Sequence, residues 1–129
     1  MNSPFLRRVL IADGVISGVT GLGMVLGAAL LDGLLGIPEG LLRWAGLSLV
    51  PFAAAVSYLA TRERLPAGGV KLVIGLNALW VLASVVLLLS GAIKPSVLGS
   101  AFILLQAVVV CVLAELQFMG LKRMRAALA

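Results

Sequence analysis

The sequence predicts an all-α protein, a four-helix transmembrane bundle running up-down-up-down with N and C termini cytoplasmic. Three observations predict it. Apolar residues make up 62% of the chain and charged residues 12%, with a mean hydropathy of +1.20. A soluble domain carries about a quarter of its residues as charges, so water is not the solvent for most of this surface. Second, the apolar residues fall into four runs, each about as long as the roughly 20-residue helix that crosses a bilayer. Third, eight of the ten lysines and arginines fall on one side of those runs. A helix satisfies its backbone hydrogen bonds internally, as lipid demands, and the runs lack the polar/apolar alternation of barrel strands.

At 129 residues the chain reads as one transmembrane domain, 1–129, with helices at about 9–31, 41–61, 70–93 and 97–121. The first segment runs from Val9 to Leu31, roughly 35 Å at the helical rise. Gly27-Ala28-Ala29 offers a small-residue cleavage site behind Arg7 and Arg8, but the run is long for a signal core and contains Asp13, so it is read as retained. Gly33, Gly36, Pro38 and Gly40 break the chain before the second segment, which carries Pro51 at its middle, where a kink is expected. Residues 62–69, rich in charge, proline and glycine, separate the second and third segments. Lys94-Pro95-Ser96 turns the chain into the fourth, which ends in the basic stretch Lys122, Arg123 and Arg125. Arg7, Arg8, Arg62, Arg64 and Lys71 share the side of that stretch, while Arg43 and Lys94 lie opposite, so the positive-inside rule puts both termini in the cytoplasm. Trp44 then falls at the outer interface and Tyr58 near the inner one.

Laying the first segment on the third pairs Asp13 with Asn77, Thr20 with Ser84, and Gly27-Ala28 with Gly91-Ala92. Two hairpins of equal orientation would form a parallel repeat about an axis along the membrane normal. The glycines of the first segment, Gly14, Gly18, Gly21, Gly23 and Gly27, together with Ser17, bare the backbone for close helix approach.

Few residues could carry chemistry. With no histidine and one cysteine, Cys111, no metal site, cofactor, disulfide or catalytic set is expected, and the basic residues serve topology rather than nucleic acid. Asp13, Asn77, Glu115, Gln117 and Tyr58 fall at one depth in the cytoplasmic-side third and form a candidate polar cluster. Two carboxylates there could exchange a proton, as a transporter requires. The plainer expectation pairs Asp13 with Arg7, Arg8 or Asn77, and Glu115 with Arg62 or Arg123. Gln106 and Ser84 near mid-depth, and Trp80 beside them, read as packing residues.

In size, helix count and the acidic Asp13 early in its first helix, the chain resembles the small multidrug resistance exporters. In that family a glutamate in this place exchanges protons for cationic drugs. The chain departs from it in carrying an aspartate, in its strong charge bias, and in lacking the family's later tryptophan and tyrosine pattern. Through Leu42-Arg43-Trp44-Ala45-Gly46-Leu47 and Ala114-Glu115-Leu116-Gln117 it also looks like uncharacterised small four-helix inner-membrane proteins of bacteria, a resemblance that implies no activity. The first functional expectation is a non-enzymatic accessory or scaffold module, with the lipid bilayer and a membrane-protein partner or a homo-oligomer around it. The alternative is a small proton-coupled transporter or channel using the polar cluster.

Overall fold

The computed structural model describes residues 4–128, which are helical apart from short connections and contain no strand. Five helices follow in order: α1 (Pro4–Leu26), α2 (Ala28–Leu35), α3 (Glu39–Thr61), α4 (Ala67–Ser90) and α5 (Val97–Leu128). Four of them, α1, α3, α4 and α5, are long and apolar enough to cross a membrane.

The first apolar run differs from expectation at both ends. α1 opens at Pro4, where the missing N–H is one the first helical turn leaves unpaired anyway. Near its end Gly27 (φ −102°, ψ 12°) leaves helical geometry, and α2 continues to a left-handed Gly36 with φ +67°. The connector therefore shrinks to three residues. The Asp32 carboxylate spans it, accepting the Glu39 N–H at 3.1 Å, where an acidic group favours the start of α3. Pro51 lies inside α3, which runs unbroken from Glu39 to Thr61. α5 is seven residues longer than expected because the apolar run ends at Leu121 but nothing after it breaks a helix. Its 32 residues measure about 48 Å against roughly 30 Å of hydrocarbon, so the basic last turns extend beyond the core.

α1 and α3 form the closest pair. A Cβ on Gly21 would come within 2.9 Å of the Gly46 carbonyl oxygen, and one on Gly46 within 2.7 Å of the Gly21 oxygen. Gly14 packs under Ser57 in the same seam. Of the other glycines expected to pack, Gly18 has ordinary room beside Ala53, Gly23 faces open space, and Gly27 ends a helix. Their side chains are absent for different reasons, which spacing alone does not separate.

Two apolar clusters close the ends of the bundle. Leu6, Leu10, Val56, Val70 and Leu121 anchor the one near the termini. Met24, Ala28, Leu35, Leu42 and Ile103 anchor the far one. At the far end, Ser96 donates its N–H to Leu35 O (2.9 Å) and its Oγ–H to Leu34 O (2.9 Å), while its Oγ caps α5 by accepting the Gly99 N–H (3.0 Å). Gly99 lies directly against the Leu35 carbonyl, too close for any side chain. At the other end Arg7 donates to Ala60 O and to Glu63 O (3.2 Å), and Arg123 stacks 5.2 Å from the Phe5 ring. The start of α1, the α3–α4 connection and the end of α5 thus share one basic end.

Candidate functional site: a sealed polar cluster and an apolar chamber

One turn above the cluster nearest the termini, α1, α4 and α5 turn their polar side chains toward one another. Asp13 and Gln117 are fully buried, and Asn77 and Ser17 nearly so. Ser17 Oγ donates to Asp13 Oδ1 at 3.0 Å. Asn77 Nδ2 donates to Asp13 Oδ2 at 2.9 Å and to Gln117 Oε1 at 3.0 Å. Gln117 Nε2 donates to Asp13 Oδ2 at 2.7 Å. The carboxylate thus accepts three hydrogen bonds from neutral donors on three helices. Among the described residues, every buried side-chain nitrogen or oxygen has a partner. In a low-dielectric interior a fully satisfied network rigidifies the bundle, whereas an unsatisfied member would be costly.

Three of the five expected cluster residues therefore meet: Asp13, Asn77 and Gln117. The other two do not join them. Tyr58 is 60% exposed, and its hydroxyl accepts from Arg62 Nη1 at 3.0 Å with that guanidinium 5.5 Å from the ring centre. Glu115 is exposed on α5, and the Cys111 thiol approaches it, with Sγ 3.7 Å from Oε1. The reason is rotation: two residues from Gln117 is about 200° around a helix, so one depth holds opposite faces. Asp13 makes no ion pair among the described residues; Arg7 donates instead to Ala60 O near the end of α3 and to Glu63 O in the α3–α4 connection. Glu115 likewise pairs with neither Arg62 nor Arg123. Ser17 is the member that depth and charge did not single out. Its place four residues after Asp13, on the same helical face, was the available signal.

A second polar set lies further along the bundle. Trp80 Nε1 donates to Gln106 Oε1 at 2.6 Å, and Gln106 Nε2 donates to Ser84 Oγ at 2.9 Å and to Ile103 O at 2.8 Å. These groups form one wall of an apolar chamber of about 280 Å³, with Thr20, Met24, Leu42, Ala45 and Phe102 around it. Trp80 and Ala83 are shared with a crevice of about 370 Å³ between α3 and α4, bordered by Ser48, Leu49 and Phe52 on the α3 side. Away from that polar wall the lining is apolar and offers water few partners.

No group of three or more metal-ligating side chains occurs among the described residues. Comparison with protein families, with curated proteins and with solved structures finds no match. The fold and these two polar sets define a class, a multi-pass helical membrane protein with a closed internal hydrogen-bond network.

Proposed function

We propose that this chain is a non-enzymatic module of the bacterial inner membrane, both termini cytoplasmic, that docks onto another membrane protein as an accessory or scaffold subunit. The observation that carries the reading is Glu115. The interior polar groups are mutually satisfied, but this carboxylate stands on the outer face of α5 with only a weak thiol contact. It lies seven residues, about 10 Å, before Lys122. An ionised carboxylate facing lipid at such depth costs up to about 2.5–3.5 kcal/mol, less toward the interface. It sits in a groove between α4 and α5 with Ile74, Ala78, Val81, Ala114 and Phe118. Small residues there allow close approach of a helix, as membrane helix interfaces require.

The occupant that fits is a transmembrane helix of a different protein, presenting a lysine, arginine or amide donor at the depth of Glu115. A second copy related by a two-fold axis through this groove would bring Glu115 against Glu115, a like-charge contact. The eight-to-two asymmetry of basic residues and the gathering of both termini at the basic end support the cytoplasmic orientation. Absence of histidine and closure of the Asp13 network support a role without catalysis. The proton-coupled reading draws on Asp13 and Glu115 acting together, but Asp13 on α1 bonds to Gln117 on the inner face of α5 while Glu115 stands on its outer face.

Cys111 supplies a native handle, being the only cysteine and one turn from Glu115. A thiol-reactive photocrosslinker placed on it in intact membranes should yield one adduct, to a transmembrane peptide carrying a basic or amide side chain. Glu115→Leu should abolish the adduct while Tyr58→Phe leaves it. Adducts to lipid alone, or to this chain's own peptides, would overturn the proposal.

A further inference from the structure

The chamber suggests a ligand that the docking surface does not. We propose that it binds an uncharged, membrane-dissolved apolar molecule bearing a single hydroxyl or carbonyl group, entering sideways between α3 and α4. This inference is independent of any partner at Glu115.

Three observations carry it. The walls are apolar except at one place, where Thr20, Ser84, Trp80 and Gln106 converge. Trp80, Ser84 and Gln106 hold one another in place, whereas the Thr20 hydroxyl makes no hydrogen bond to a side chain or connecting segment among the described residues. A free hydroxyl can donate or accept, and Gln106 Oε1 keeps a second lone pair beyond the one Trp80 uses. An uncharged ligand with one polar group is what such a wall matches. A charged ligand would find no counter-ion, because none of the lining residues is ionisable.

Access and size agree with the chemistry. The chamber and the α3–α4 crevice share Trp80 and Ala83, so a route inward lies on the side facing lipid. At about 280 Å³ the chamber is nearly twice a 150 Å³ cavity that accepts benzene, and large enough for a short chain or a fused ring pair.

The test uses Trp80 as reporter. In full-length protein carrying Trp44→Phe, reconstituted in vesicles of phosphatidylcholine, Trp80 is the remaining tryptophan. Bromodecanol and bromodecane, compared at equal membrane concentration, are the quenching probes. Bromodecanol should quench saturably, with apparent affinity about five-fold or more above bromodecane, the ratio one hydrogen bond supplies. Thr20→Val, close in shape, should bring the two probes to within about two-fold while quenching remains saturable. Ala83→Phe, an exposed position at the mouth of the crevice, should remove saturable quenching by both without altering the helical content. Quenching that rises linearly with membrane concentration and is unchanged by Ala83→Phe would overturn the proposal. So would equal affinity for the two probes in the Trp44→Phe protein.

Discussion

Replacing Asp13 with alanine should destabilise the bundle far more than replacing it with asparagine. Alanine removes the acceptor of three hydrogen bonds at 2.7, 2.9 and 3.0 Å. Ser17 can turn back to its own helix carbonyl at little cost. Asn77 and Gln117 are buried and keep only the 3.0 Å bond between them, so one interhelical acceptor is lost to each. At the average of about 0.6 kcal/mol per interhelical bond in a membrane protein, the loss would be about 1.2 kcal/mol. If both donors stay unsatisfied at roughly 2 kcal/mol each, it approaches 4 kcal/mol. Asparagine can place its one oxygen where Oδ2 stood, keeping both the Asn77 and Gln117 bonds, and offer its own N–H to Ser17 Oγ, so its cost should stay under about 1 kcal/mol. The assay is reversible unfolding in mixed detergent micelles, followed by circular dichroism, for both variants and for Gln117→Ala. The double variant Asp13→Ala/Gln117→Ala should lose less than the sum of its singles, because the bond between them is counted twice. Equal stability of the alanine and asparagine variants, or strict additivity in the double, would refute the keystone role of Asp13.

Two further substitutions follow from the packing. Gly46→Ala places a methyl within 2.7 Å of the Gly21 carbonyl oxygen and should cost about 1–3 kcal/mol in the same unfolding assay, while Gly18→Ala, with its nearest neighbour at 3.6 Å, should be close to neutral. Gly36→Ala forces a side chain onto φ +67° against the Ser96 backbone, so a loss of at least about 1–2 kcal/mol is expected, with faster proteolysis at the 36–38 connector. By contrast Arg43→Ala, which breaks an exposed ion pair to Glu39 at 2.6 Å, should change stability by less than about 1 kcal/mol.

Hydropathy and charge bias made the four membrane-spanning segments legible, because length in lipid is a one-dimensional property. Depth was legible for the same reason, and it brought Asp13, Asn77 and Gln117 onto one level. Which of those at that level face inward was not legible, since apolar residues surround every helix and leave no polar stripe to mark the outside. Glu115 and Gln117 show the consequence: two residues apart, they end on opposite faces. The seam between α1 and α3 shows another. Gly46 has no glycine four residues away in its own helix, and its partner Gly21 lies 25 positions earlier, so no local pattern reveals it. Gly27 and Gly36 both carried a punctuation signal, and each ends a helix, α1 at Gly27 and α2 at Gly36, where the Ser96 backbone lies against it. The alignment of the first and third apolar runs does carry spatial content: Asp13 bonds to its counterpart Asn77, and Thr20 and Ser84 line the same chamber. The tight glycine seam of α1 and α3 has no equivalent between α4 and α5.

Native mass spectrometry of the protein released gently from its own membranes tests the accessory reading most directly. A stoichiometric complex with a different, larger membrane protein is predicted, intact in the Asp13→Asn variant and lost in Glu115→Leu. A discrete homo-oligomer containing no other polypeptide, unaffected by Glu115→Leu, would contradict it.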